Sequence, residues 1–189
     1  MFCASPVSRQ RPGQLLNGRF EALAQVLGRL RAEVGDIEFG FRAQGLFAHV
    51  LSRIGAEVIE IRHQGHPDIV ANMNGRTVRF EVEITSARDR HHVIKSDDLA
   101  SIGGAHNAED GFLAILDSAY PVRWAVIGSS RIGRRLGRWP LVTLHALADQ
   151  SLSKQCGAAF GEILSENAEN LPALTFHLLC DRVLRRDHF

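Results

Sequence analysis

Two acidic residues flank a hairpin turn at positions from which their side chains can share one cation. Asn74-Gly75 is the residue pair that best tolerates positive φ at both centres of a type I′ turn. Residues paired across a two-residue hairpin have numbers that sum to a constant, here 149, which places Asp68 opposite Glu81. We therefore expect the Cβ atoms of these two residues to lie roughly 4.5 to 5.5 Å apart.

A third carboxylate and an imidazole are predicted on the same face of the hairpin. Glu83 lies two residues beyond Glu81, and side chains two apart on a strand share a face. The same register sets His66 opposite Glu83. Like charges at these separations destabilise a sheet, so a divalent cation is the natural compensation. Oxygen ligands without cysteine favour Mg²⁺, with Mn²⁺ as the alternative, over zinc.

A solvated acidic face is the alternative interpretation. In it, Glu81 and Glu83 point to water and pair with nearby arginines, which are Arg62, Arg76 and Arg79. The opposite face of this strand has the apolar character of a core, and it consists of Val78, Phe80, Val82 and Ile84. The acidic face is therefore not a misassigned interior, and the opposed Asp68 favours the metal site.

Apolar periodicity predicts the elements that carry this hairpin. A first helix begins after Asn17 and ends at Gly35, and a second helix covers Phe41 to Ile54. A capping-box pattern at Ser86 predicts a third helix that Gly103-Gly104 stops. Strands are predicted at 58–61, 69–73, 76–84, 112–116 and 124–127, and the segment from Arg131 onward is predicted as helices with breaks near Pro140, Gly157 and Pro172.

This order predicts an α/β fold with a mixed central β-sheet flanked by helices. The length of 189 residues suits a single domain. We expect a flexible tail at 1–16 and one domain at 17–189, with a core at about 38–128 and a helical C-terminal extension at about 131–189.

The acidic hairpin resembles the PD-(D/E)XK nuclease superfamily, which includes many restriction enzymes. Pro67-Asp68 matches the PD element and Glu81-Val82-Glu83 matches the second element, with 12 residues between the two acids, and the similarity extends over roughly Glu38 to Ile127. The resemblance implies a restriction-endonuclease-like core (αβββαβ) with extra N- and C-terminal helices. It also implies a Mg²⁺-dependent endonuclease in which Asp68, Glu81 and the main-chain carbonyl of Val82 hold the metal. Glu83 is a further candidate ligand, and both one and two metal ions are compatible with the sequence.

The sequence departs from the family pattern at two positions. Glu83 stands where the family usually has lysine, and Lys95, predicted on the third helix on a face shared with His91, is a second candidate for that role. Gln44 stands where Mrr-like members often have an acidic residue, and Glu38 is its alternative. The catalytic residues predicted from the resemblance are Asp68, Glu81, Glu83, Lys95 and Gln44, with Glu38, His66 and His91 as neighbours of the site.

The predicted substrate is nucleic acid, most simply double-stranded DNA. Its phosphates require cations, and four arginines follow the last predicted strand closely: Arg131, Arg134, Arg135 and Arg138. Arg76 and Arg79 flank the acidic residues and are further candidates. A solvated helix face, or a surface for an acidic partner, is the alternative interpretation of the arginine group.

Composition limits the remaining possibilities. The net charge of +1 indicates no global polyanion-binding field, so a nucleic-acid site must be local. Three widely spaced cysteines indicate neither a disulfide framework nor a zinc knuckle. No apolar run suits a membrane span or a signal peptide. We therefore expect a cytoplasmic protein without a membrane partner. A chain this short that cuts both strands is expected to act as a homodimer or within a larger assembly.

Three other functional classes remain open at this stage. The replacement of lysine by Glu83, together with Gln44, is compatible with a catalytically inactive nuclease-like module that binds DNA or protein. An RNA-directed nuclease and a structural subunit that assembles through its C-terminal helices are also compatible with the sequence.

Overall fold

The fold is built around a five-stranded sheet with helices on both faces. The computed structural model describes residues 23–25, 27–29, 31–62, 66–85, 90–103, 110–118 and 122–166. Residues 23–25, 27–29 and 31–34 are helical, and Gly35, with φ of 82°, separates them from the next helix. The labelled elements are α1 (Asp36–Arg53), β1 (Glu57–Ile61), β2 (Ile69–Met73), β3 (Arg76–Thr85), β4 (His91–Ile94), α2 (Ser96–Gly103), β5 (Gly111–Asp117), β6 (Arg123–Gly128), α3 (Ser129–Ile132), β7 (Gly137–Pro140), α4 (Leu141–Leu147) and α5 (Gln150–Glu166).

The Asn74-Gly75 hairpin forms with the predicted register. The two turn residues have φ of 53° and 77°, as a type I′ turn requires. Met73 pairs with Arg76 and Ile69 with Phe80, so each pair satisfies the predicted sum. The turn chemistry alone therefore fixes which side chains of β2 and β3 face each other.

The sheet is mixed but mostly antiparallel. Its strand order is β1-β2-β3-β5-β6, and only β3 and β5 run parallel. A right-handed crossover is the usual connection between parallel strands, and here the intervening chain contains α2. The predicted mixed α/β class is confirmed.

One face of the sheet is covered by α1 and α5. The apolar residues of β3 that face this side, among them Phe80, pack on Phe47 of α1, with ring centroids 5.3 Å apart. Trp124 on β6 lies 4.6 Å from Phe47 and 6.4 Å from Phe160 of α5, centroid to centroid. This is the larger of the two cores, and it makes the side of the hairpin opposite the acidic residues rigid.

The other face of the sheet has a second, smaller core over β5 and β6. Its buried members come from the sheet, from α2 and α4, and from a separate ribbon in which β4 pairs with β7: Leu113, Ile115, Ala125, Ile127, Ile94, Ile102, Trp139 and Leu144. The acidic residues of β3 lie on this face, beside the second core. Within the described ranges, no helix combines the length and apolar character required to cross a bilayer.

Three sequence predictions are wrong in this region. Residues 91–94 form a strand, and the third helix begins only at Ser96, because the pairing of β4 with β7 is a long-range contact that local periodicity does not reveal. The segment after Arg131 contains β7 as well as helices. Gly157 lies inside α5, where helix packing against the sheet overrides the low helix propensity of glycine. The predictions for Asn17, Ser86 and Pro172 concern residues outside the described ranges.

Gly111 sets how closely α2 approaches β5. A Cβ atom built on Gly111 would lie 1.7 Å from the carbonyl oxygen of Ile102, so only glycine permits this contact. Because Ile102 lies in the last turn of α2, the position of the helix depends on the absence of this side chain.

We predict that Gly111→Ala lowers the free energy of unfolding by about 1 to 3 kcal/mol, because the backbone of α2 must move away. Gly157→Ala is the matched control, since a Cβ there meets nothing within 4 Å, and in a helix interior alanine stabilises by about 0.5 to 1 kcal/mol. Urea unfolding measures both. Equal effects of the two substitutions would contradict the close contact.

Candidate metal centre

The Asp68 carboxylate is held in a fixed orientation at the end of β2. Its Oδ2 accepts a hydrogen bond from the main-chain N–H of Val82 at 2.8 Å, and its Oδ1 accepts one from Nε2 of Gln44 at 2.7 Å. Asp68 is only 7% exposed. Gln44 therefore lies at the site, as predicted, and α1 and β3 together position the aspartate.

The main chain of Val82 faces the site. The ladder between β2 and β3 ends at the pair Ile69–Phe80, and beyond it the Val82 N–H donates to the Asp68 carboxylate instead of to a backbone carbonyl of β2. Since the N–H and C=O of one strand residue point to the same side, the Val82 carbonyl faces the side on which Asp68 accepts its hydrogen bond.

Glu81 is the most tightly held acid of the site. Its Oε1 lies 2.7 Å from Nδ1 of His66, and its Oε2 accepts a hydrogen bond from the Ser101 hydroxyl at 2.8 Å. Glu81 is 3% exposed. The prediction that His66 lies beside Glu83 is corrected to Glu81, because the β2–β3 pairing ends at Ile69 and the chain before it no longer follows the register.

The solvated-face alternative is wrong. Of the arginines proposed as partners, Arg62 pairs with Glu60 at 2.7 Å and Arg76 pairs with Asp110 at 2.7 Å. Glu83 is half-buried and makes no hydrogen bond with any described residue. Glu81 is therefore buried where β3 meets α2, and in the part of the chain that the structure describes neither glutamate has an arginine as an ion-pair partner.

Two further residues of the cluster were missed by sequence reasoning. Asp98 on α2 and His92 on β4 place ligand atoms within 4.8 Å of each other and of Glu83. Asp98 is 2% exposed, and its Oδ2 accepts the Lys95 N–H at 2.8 Å, which caps the start of α2. The run Ser96-Asp97-Asp98 was a usable signal, because acidic residues favour the first turn of a helix.

Burial and mutual repulsion raise the pKa values of the carboxyl groups. The pKa of Asp68 is raised to about 7, chiefly because burial disfavours the carboxylate and then because of the charge on Glu81. Burial and the charge on Asp98 likewise raise the pKa of Glu83 to about 7, and burial raises the pKa of Glu81. Burial disfavours the His66 imidazolium, but the charge and hydrogen bond of Glu81, together with the charges on Asp68 and Asp98, outweigh it and raise the pKa of His66.

Lys95 lies near the cluster, although not on the predicted helix face. It precedes α2, is exposed, and its charge lowers the pKa values of Glu83 and His92. His91 points away from the site, because alternate residues of β4 face opposite sides, and its Nδ1 lies 3.5 Å from the Arg138 guanidinium. Glu38 is also outside the site and pairs with Arg42 at 2.8 Å.

The predicted arginine group is divided among several roles. Arg131 donates to the carbonyls of Leu147 and Ala148 at the end of α4. Arg135 stacks on the Trp139 ring, 5.0 Å from its centroid. Arg134 lines an open groove of about 650 Å³ between α2 and α3. Arg138 is exposed on β7. Arg79 lies two residues before Glu81, on the same face of β3.

Two buried atoms of these residues have no hydrogen-bond partner among the described residues. Oε1 of Gln44, on the amide that contacts Asp68, is buried and has no hydrogen-bond partner, and the same is true of Nε2 of His92. Both are electron-pair donors, as metal ligands must be. Oxygen ligands from Asp68, Glu81 and Val82 suit Mg²⁺ or Mn²⁺.

Comparison of the chain with protein-family models, with curated proteins and with solved structures gives no match. The functional argument therefore depends on the geometry and charge of this cluster.

We predict that the metal-free protein loses stability as pH rises from about 4 to about 7. Asp68 and Glu83 have ordinary pKa values of 3.8 and 4.5 and folded values of about 7, so the folded state binds more protons across this interval and the free energy of unfolding falls with pH by roughly 3 kcal/mol or more. Thermal unfolding in chelator from pH 4 to 8 measures this. Mg²⁺ or Mn²⁺ should restore more stability at pH 8 than at pH 5.

Glu83→Gln should raise the stability of the chelated protein at pH 8, since it removes the unfavourable buried charge. Glu60→Gln, on the neighbouring edge strand, is the control and should not. A pH-independent stability that metal leaves unchanged would contradict the electrostatic account.

Proposed function

We propose that this chain is a metal-dependent nuclease that hydrolyses phosphodiester bonds in double-stranded DNA. The observation that carries the proposal is the pair of buried acids Asp68, just before β2, and Glu81, on β3, which lie close enough for the charge on Glu81 to raise the pKa of Asp68. Neither acid has an arginine or lysine in direct contact among the described residues, so a divalent cation would offset the repulsion between them.

The topology supports the same proposal. A helix (α1), three antiparallel strands (β1 to β3), a helix (α2) and a strand parallel to the third (β5) follow in order. This order supports our proposal of the αβββαβ core that the resemblance to PD-(D/E)XK nucleases implies. The β4 strand is an addition between the third strand and α2.

Each residue of the site has a role that follows from its contacts. Asp68, Glu81 and the Val82 carbonyl would hold the cation, and Gln44, His66 and Ser101 fix the orientation of the two carboxylates through their hydrogen bonds. A bound divalent cation supplies Lewis-acid chemistry to the scissile phosphodiester.

Glu83 and Lys95 share the role that lysine has in the family pattern. The Glu83 carboxylate, which has no hydrogen-bond partner among the described residues, would orient the attacking water. The Lys95 ammonium is exposed beside it and supplies positive charge next to the substrate phosphate.

Substrate would approach along the ribbon of β4 and β7. Its outer face has Arg138 and His91, with Arg90 at its start, and the described residues of the ribbon, 91–94 and 137–140, contain no acidic residue. Its inner face places His92 in the acidic cluster. The ribbon therefore connects a basic surface to the metal centre.

The ribbon favours duplex DNA over duplex RNA. The major groove of B-form DNA accommodates a two-stranded β-ribbon, whereas the major groove of A-form RNA is too narrow for side chains to read. The exposed side chains Val93 and Arg138 stand opposite each other on the two strands of this ribbon.

We predict that the purified protein nicks or linearises plasmid DNA in Mg²⁺ or Mn²⁺ and not in chelator. Asp68→Asn and Glu81→Gln should each lower the rate at least about 100-fold, because each removes a charged ligand of the cation. Gel analysis of a supercoiled plasmid measures this, and a parallel reaction with duplex RNA tests the choice of substrate. Glu60→Gln is the matched control and should retain full activity.

Cleavage that is unaffected by Asp68→Asn, or that persists in chelator, would refute the nuclease proposal. Metal-independent DNA binding without cleavage under any condition would also refute it and favour the inactive binding module.

We predict that Arg138→Ala and Arg134→Ala weaken DNA binding. Each should also reduce the slope of log affinity against log salt concentration by about one, because one phosphate contact is lost. Arg131→Ala should lower stability instead, because its guanidinium binds the end of α4. Arg53→Ala is the control, since Arg53 lies at the end of α1 on the opposite face and pairs with Glu166. Fluorescence anisotropy at several salt concentrations measures the slopes, and identical slopes for Arg138→Ala and Arg53→Ala would contradict the assignment.

A further inference from the structure

Glu83, His92 and Asp98 come together from three separate elements. They lie on β3, β4 and α2, and their ligand atoms are all within 4.8 Å of one another. Neither Asp68 nor Glu81 belongs to this group, and the resemblance to the nuclease family assigns no role to His92 or Asp98. The group therefore needs an explanation of its own.

The strongest evidence for a ligand here is the imidazole of His92. The residue is 8% exposed, and its Nε2 is buried without a hydrogen-bond partner. A buried polar nitrogen without a partner destabilises the folded protein, so a partner is expected. A ring nitrogen of His92 lies within 4.8 Å of carboxylate oxygens of Glu83 and Asp98, and an imidazole grouped with two carboxylates is the arrangement of a metal site.

The two carboxylates have free binding capacity. Glu83 makes no hydrogen bond with the described residues. The carboxylate of Asp98 accepts one hydrogen bond from them, which the Lys95 N–H donates to Oδ2. Its Oδ1 is therefore available. Ligand atoms on opposite sides of an ion at about 2.1 Å are about 4.2 Å apart, so a closure of less than about 1 Å brings the observed group into coordination distance.

We propose that Glu83, His92 and Asp98 bind a second divalent ion, of the first transition series rather than Mg²⁺. Imidazole nitrogen suits Mn²⁺, Fe²⁺ or Zn²⁺, whereas Mg²⁺ takes oxygen ligands and retains its waters. The proposal extends the metal centre proposed above, and it makes Glu83 the residue between the two ions. It also gives a physical reason for glutamate where the family pattern has lysine, because a carboxylate can bind a metal ion and an ammonium group cannot.

The test is a titration of the full chain with Mn²⁺, followed by electron paramagnetic resonance. We expect two ions per chain, and modulation from a directly bound ¹⁴N nucleus in the spectrum. His92→Phe conserves the approximate volume of the ring and removes the ligand. Asp98→Asn retains an oxygen that accepts the Lys95 N–H. Each variant should bind one ion, and circular dichroism checks that it is folded.

Two controls separate this proposal from the proposed function. His91→Phe changes the adjacent histidine on the outer face of the ribbon and should leave two ions bound. Asp68→Asn should leave one ion that retains the ¹⁴N modulation, because His92 still binds it. An excess of Zn²⁺ should displace this remaining ion, and the same excess of Mg²⁺ should not.

Each outcome decides between the two proposals. If His92→Phe binds as much Mn²⁺ as the wild type, or if Asp68→Asn alone abolishes all binding, the second site is refuted while the first remains. If two ions bind as expected and no DNA is cleaved, the second site is supported and the nuclease proposal fails. If no Mn²⁺ binds at all, both are refuted.

Discussion

The arrangement of this site depends on electrostatic repulsion between carboxylates that the fold holds out of water. Burial is the largest influence on the raised pKa values of Asp68, Glu81 and Glu83, and the charge on Asp98 raises each of the three further. Backbone and side-chain hydrogen bonds fix Asp68 and Glu81 in place, so they cannot turn away from each other. Such a cluster is stable at neutral pH only when protons or cations neutralise it.

Two packed faces of one sheet produce this burial. The core beneath α1 and α5 makes β2 and β3 rigid, and the second core positions α2 and the β4–β7 ribbon over the acidic side. Gly111 permits the close approach of α2, which brings Asp98 and Ser101 to the site. The site is therefore a product of long-range packing, although its first pair of acids comes from a local hairpin.

This difference explains what the sequence could predict. The Asn74-Gly75 turn determines the β2–β3 register by local chemistry, so the pairing of Ile69 to Met73 with Arg76 to Phe80, the approach of Asp68 to β3 and the apolar opposite face followed from it. The β4–β7 pairing joins residues more than forty positions apart in two short, mixed segments, and no local pattern reveals it. The inward position of His92 and the outward position of His91 depend on that pairing, so sequence reasoning selected the wrong histidine.

The most direct test of the central claim is a crystal structure of the protein grown with Mn²⁺ and measured at a wavelength that gives anomalous scattering from manganese. The account predicts an anomalous peak about 2 to 2.5 Å from carboxylate oxygens of both Asp68 and Glu81. Well-ordered carboxylates without such a peak, hydrogen-bonded to each other as a protonated pair, would contradict it.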